Sequence, residues 1–171
     1  AAQTRVDCLV FICALQRHNA APRIEHAQRL NKLLRWMQRN HKKIHYRKLT
    51  DRASHLRIIS DAAFKRENED GYSLRGALYL RCPGTKDADF INRACAGHLL
   101  DWACKSQKCV TRSTFAAELL SAGDAVDQGT NLSTLLYEIE YGPLTNGEAV
   151  RMSERGGYIP SALYVDAKSI Y

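Results

Sequence analysis

Three acids in this 171-residue sequence stand where an acid is costly. Asp61 interrupts Ile58-Ile59-Ser60-Asp61-Ala62-Ala63-Phe64, which otherwise reads as a strand built for burial. Aspartate is depleted in strands, and a lone buried carboxylate costs free energy or shifts its pKa. Glu118 borders an apolar helical stripe, roughly 60° from its centre at about 100° per residue. Asp166 closes the run Ala162-Leu163-Tyr164-Val165, at the strand end where α/β sheets place their chemistry. Each has an ordinary alternative: a strand-end Asp bonded to backbone amides, a boundary Glu reaching water, an N-cap. Taken together they suit one purpose. Oxygen-only ligands fit Mg²⁺ or Mn²⁺, and converging carboxylates repel one another unless cations neutralise them. Two such ions about 4 Å apart activate water and stabilise the leaving 3′ oxygen of a phosphodiester.

Around the expected entrance of the Glu118 helix lie Lys105, Gln107, Lys108, Arg112, Ser113 and Thr114. A helix N-terminus binds phosphate, so these residues are candidates for seating a nucleic-acid backbone, against the alternative of a solvated turn. Arg35 and Arg39, on a basic helix, are further candidates. The charge is uneven: residues 1–50 hold 11 Lys and Arg against 2 acids, and the remainder holds 14 against 16. A basic segment beside an acidic site suits a polyanion and predicts salt-sensitive binding. Trp102 reads as core, and His55 and His98 as structural or surface residues. No Gly-x-Ser-x-Gly, Cys-His pair, phosphate loop or Cys-x-x-Cys is present, which removes the usual grounds for covalent, P-loop or zinc chemistry. The six cysteines read as reduced, mostly buried thiols.

These residues need elements to hold them. Residues 3–18 read as a helix, with a buried strand not excluded by periodicity. Pro22 suits the first turn of a second helix, whose apolar stripe is Ile24, Ala27, Leu30, Leu34 and Met37, ending near Asn40. Residues 41–54 read as a polar, basic connector. Strands follow at 55–64, 72–81 and 97–105, the first two joined by an acidic turn at 67–71, as an antiparallel meander. A helix spans 113–126 with stripe Phe115, Leu119, Ala122 and Val126, capped by Ser113 or Thr114. Residues 127–140 are helical or continue it after a break at Gly129. Pro143, Asn146-Gly147 and Gly156-Gly157 punctuate a long connection, and a strand covers 161–165.

The order of motifs resembles the RNase H domain of copia-type retrotransposons. Ser60-Asp61-Ala62-Ala63-Phe64 with Gly71-Tyr72-Ser73-Leu74-Arg75-Gly76 is similar to that family's opening hairpin. Trp102-Ala103-Cys104-Lys105-Ser106-Gln107 resembles its Trp-x-Ser-Lys-Lys-Gln strand, with Cys104 in place of Ser. Arg112-Ser113-Thr114-Phe115-Ala116-Ala117-Glu118-Leu119 matches its helix opening, and Tyr164-Val165-Asp166-Ala167-Lys168-Ser169 its Asp-x-x-Ser turn. Leu33-Leu34-Arg35-Trp36-Met37 is similar to the segment joining polymerase to RNase H. The stretch 127–160 is longer than the family's connection, and the fourth family carboxylate has no counterpart before Tyr171.

The resemblance implies an α/β, RNase H-like fold: a mixed sheet of three antiparallel strands and one parallel strand beside the first, with flanking helices. A right-handed crossover carries Glu118 over Asp61 and Asp166. It implies a basic connection segment at 1–50 and an RNase H-like domain at 51–171, incomplete at its C-terminus. The expected activity is two-metal hydrolysis of the RNA strand of RNA–DNA hybrids, with Asp61, Glu118 and Asp166 on Mg²⁺ or Mn²⁺. The expected neighbour is the polymerase domain of the same polyprotein, in an intracellular setting without membrane contact. The alternative is an inactive module of the same fold that only binds nucleic acid or a neighbouring domain.

Overall fold

A computed structural model describes residues 5–49, 54–63, 72–84, 97–154 and 159–166. The acidic turn at 67–71, Gly156-Gly157 and Cys95 lie outside the described residues. The chain opens with a 3₁₀ turn, Val6–Cys8, leading into α1, Leu9–Gln16, and then α2, Ile24–Arg39. Strands β1, Ser54–Ala63, β2, Leu74–Pro83, and β3, His98–Ser106, come next. Helix α3, Thr114–Tyr141, helix α4, Asn146–Glu154, and strand β4, Ser161–Tyr164, complete the order. The fold is α/β.

The four strands form one sheet in the order β3-β2-β1-β4. β1 pairs antiparallel with β2, and β2 with β3, with an irregularity at Tyr79/Leu80. β4 returns parallel to β1, Leu56 opposite Ser161 and Ile59 opposite Tyr164. This is the arrangement expected for an RNase H-like sheet. A parallel neighbour needs a crossover, and α3 supplies it, packing chiefly on β1. The core beneath α3 is Leu56, Ile58, Ala77, Tyr79 and Ala125, with Leu100, Ala103, Leu132 and Leu163 against it.

Helix α3 differs from the sequence reading in two ways. It runs unbroken through Gly129, and its buried face is not the stripe of large apolar residues. Phe115, Leu119 and Val126 are exposed, and of that stripe only Ala122 is buried. The face on the sheet is made of small residues, Ala117, Ser121, Ala125, Gly129 and Ser133, spaced by four. Small side chains let a helix backbone come close to a sheet. At Gly129 the approach is so close that a Cβ would collide with Ile58. Gly129 is therefore a contact point rather than a break. The connection that follows also contains a helix, α4. Thr145 and Glu148 form a capping box at its start: the Thr145 N–H and hydroxyl donate to Glu148 Oε2 at 2.9 and 2.6 Å, and the Glu148 N–H returns to Thr145 Oγ1 at 3.4 Å.

Helix α2 also corrects the sequence reading. Ile24 is 81% exposed, and Leu30 and Leu34 lie open as well. The helix is anchored instead through buried His26, whose ring stacks at 3.9 Å on His18, just past α1, while Leu33 and Met37 are half-buried. Pro22 sits one residue before the N-cap, Arg23, outside the first turn.

The N-terminal segment is fastened to β3. The Cys13 thiol donates to the Cys104 carbonyl at 2.8 Å, and Arg17 Nε to Ser106 Oγ at 3.0 Å. The Tyr46 hydroxyl donates to the Leu99 carbonyl at 2.7 Å. Of the five described cysteines, none in a disulfide, only Cys8 and Cys82 are buried, and Cys109 is exposed. Among the described residues, no helix is long and apolar enough to cross a membrane.

Candidate metal centre

Asp61 stands near the end of β1, and Asp166 lies just past β4. Because Ile59 faces Tyr164 in parallel register, the residues two further along, Asp61 and Asp166, come level at the same end of the sheet. Glu118 descends on them from α3. Ser113 starts that helix, its hydroxyl accepting from the Ala116 N–H at 3.1 Å, which fixes the second turn over the strand end. One carboxylate oxygen from each of the three residues lies within 4.8 Å of the others.

The three groups differ in surroundings. Asp61 and Asp166 are exposed, and Glu118 is 5% exposed. Glu118 thus lies within the buried face, not at its border. Burial, above all, pushes its carboxyl above the ordinary glutamate range, and the nearby charges of Asp61 and Asp166 add to this. A hydrogen bond from the Ala62 backbone opposes the shift. Its Oε2 is buried and has no hydrogen-bond partner. An anionic oxygen left unsatisfied in a buried place, beside two more carboxylates, is a donor set that a hard divalent cation fits.

Two serines brace the site. Ser121 Oγ donates to the Asp61 carbonyl at 3.0 Å and contacts Ser60 Oγ at 3.0 Å. Twelve residues on, Ser133 accepts from the Ile159 N–H at 2.9 Å and donates to the Ile159 carbonyl at 3.2 Å. Helix α3 is thus tied to β1 at Asp61 and to the chain entering β4. The sequence reading missed these serines. The signal was their four-residue spacing with Ala125 and Gly129.

The candidate nucleic-acid residues divide. Lys105, Lys108, Arg112, Ser113 and Thr114 are exposed around the entrance of α3. Lys105 shares a sheet row with Arg75 and Ala62. Gln107 is buried: its Nε2 donates to the Ala117 carbonyl at 2.7 Å and its N–H to the Ser73 carbonyl at 2.8 Å. It fastens α3 to the residue that leads into β2, and its Oε1 is buried without a hydrogen-bond partner. Arg35 and Arg39 are exposed on α2. His55 is structural, fully buried against the Gly84 carbonyl at 3.1 Å. His98 likewise bonds the Arg47 carbonyl. Half-buried Trp102 lines a cleft of about 430 Å³ between α3 and β2–β3, together with Lys105, Asp101 and the Arg75–Asp124 ion pair. The sequence reading did not single out Arg75, Asp101 or Asp124.

No protein-family model, curated protein or solved structure matches this chain.

Proposed function

We propose that this chain is the nuclease module of an RNase H-type enzyme that hydrolyses the RNA strand of RNA–DNA hybrids. The observation that carries the reading is the convergence of Asp61, Glu118 and Asp166 within 4.8 Å, with one Glu118 oxygen buried and unpartnered. These three carboxylates would hold two Mg²⁺ or Mn²⁺ ions, and the ions would supply the charge that makes water nucleophilic and stabilises the leaving 3′ oxygen.

The chain's own contribution is position and charge. Ser121 holds the Asp61 backbone, and the parallel register of β1 and β4 sets Asp166 beside it. Exposed Lys105, Lys108 and Arg112, with the N-terminus of α3, offer donors to the phosphates flanking the scissile bond. Selection of RNA over DNA would rest on contacts to 2′-hydroxyls across the minor groove. The retrotransposon setting and a neighbouring polymerase domain enter through the motif resemblance.

The test is a hybrid duplex with a labelled RNA strand, incubated with the chain in Mg²⁺, Mn²⁺ or chelator. The reading expects metal-dependent cleavage of the RNA strand alone, lost in folded Asp61→Asn and Glu118→Gln variants. A folded chain that binds the hybrid with salt-sensitive affinity, yet leaves it intact with either metal, is a non-catalytic module. That outcome contradicts the proposal.

A further inference from the structure

Helices α1 and α2 enclose a groove of about 630 Å³ on the basic N-terminal segment. Phe11 and Leu15 line one wall at i, i+4, and Arg29, Lys32, Leu33 and Trp36 the other at i, i+3, i+4, i+7. Each helix thus turns a single face toward the groove. The apolar lining is open to water, with Phe11 61% and Trp36 43% exposed. No acid lines it.

The groove is also braced from behind. The Arg5 guanidinium donates to both Asp7 carboxylate oxygens, at 2.9 and 3.0 Å, and to the Met37 carbonyl at 3.3 Å. It lies 5.5 Å from the centre of the Trp36 ring. This cation–π contact orients the Trp36 ring, which lowers the ordering cost of docking a partner against it.

We infer that this groove docks an acidic amphipathic helix of a protein partner. Two helical faces that present apolar residues to one groove accept a third helix through anchors at i, i+3, i+4 and i+7. Arg29 and Lys32 select for Glu or Asp beside those anchors. Pairing with α2 of a second copy fits poorly, since α2 carries Arg29, Lys32, Arg35 and Arg39 against Glu25 alone and would set like charge on like. A nucleic-acid backbone would meet the cations but leave Phe11, Leu15 and Leu33 without apolar partners. The inference is independent of the nuclease reading.

Three labelled helical peptides test it on the full chain by fluorescence anisotropy. One has Leu and Phe at i, i+3, i+4 and i+7 flanked by Glu. The second replaces each Glu with Lys, and the third keeps the Glu but scrambles the apolar spacing. The Glu-flanked peptide is expected to bind at least about tenfold more tightly than either other, a ratio easily resolved in Kd. Phe11→Ser removes that advantage. Arg29→Glu with Lys32→Glu reverses the preference toward the Lys-flanked peptide. All three positions are on the surface, so unchanged circular dichroism confirms folding. Equal or undetectable binding of the three peptides overturns the inference. So does a dimer of the chain that Phe11→Ser dissolves, or an oligonucleotide whose binding Phe11→Ser abolishes.

Discussion

The Ser121 hydroxyl donates to the main-chain carbonyl of Asp61 across 3.0 Å, joining α3 to β1 at the residue that heads the acidic cluster. Since the single Ser121 proton is committed there, Ser60 must donate to Ser121 in their 3.0 Å contact. Both serines are buried. Ser121→Ala therefore leaves the buried Ser60 hydroxyl without this partner and removes the bond that ties α3 to the Asp61 carbonyl. The expected loss is about 1–3 kcal/mol of stability, the usual cost of an unsatisfied buried polar group. Urea denaturation with an unchanged m-value checks it. A midpoint equal to wild type would mean that the bridge does not hold the strand.

Gly129 and Gly123 lie on the same helix and should respond oppositely to alanine. At 123 a Cβ meets nothing within 4 Å, so Gly123→Ala should stabilise by about 0.5–1 kcal/mol through helix propensity. At 129 it meets the side chain of Ile58, itself 2% exposed. Overpacking of about 1–3 kcal/mol should there exceed the propensity gain, giving a net loss. Thermal melts of the two variants decide it. A stabilised Gly129→Ala would show that α3 does not sit this close to β1.

These two glycines mark the boundary of what the sequence made legible. The meander was readable from alternation and turn residues, and the three acids from their misplacement among apolar neighbours, all of them local signals, whereas the parallel return came from the motif resemblance. The seating of α3 was not. Phe115, Leu119 and Val126 look like a core stripe, yet the helix turns Ala117, Ser121, Ala125, Gly129 and Ser133 to the sheet. Apolar moment favours the larger side chains, whereas close packing favours the smaller ones. Gln107 misled for a related reason: a polar residue in a basic turn reads as exposed, and only tertiary contact reveals its bond to the Ala117 carbonyl. The capping box Thr145–Glu148 was legible, and its Asn-Gly pair masked it as a turn.

Glu118 gives a pH prediction with a definite sign. Burial and the neighbouring acids raise its folded-state pKa, so the folded chain takes up its proton more readily than the unfolded chain. Without metal, stability therefore falls as pH rises from the ordinary carboxylate range through the raised folded value. Glu118→Gln removes that loss. In chelator the variant should melt above wild type at neutral pH, with the gap closing as pH falls to about 4. Saturating Mg²⁺ or Mn²⁺ should reverse the order, because only wild type gains the binding free energy. Calorimetry with and without metal measures both. A variant that melts below wild type in chelator at pH 7 would contradict the electrostatic description of the site.

The central claim is that Asp61, Glu118 and Asp166 are ligands of one metal centre. Anomalous diffraction from crystals soaked in Mn²⁺ tests it without depending on turnover. The expected result is manganese density in direct coordination with oxygens of all three carboxylates, including the buried Glu118 Oε2. In crystals of Asp61→Asn that density should weaken or disappear while α3 keeps its place. Saturating Mn²⁺ with no density at the three carboxylates, or with density only elsewhere on the chain, would contradict the claim.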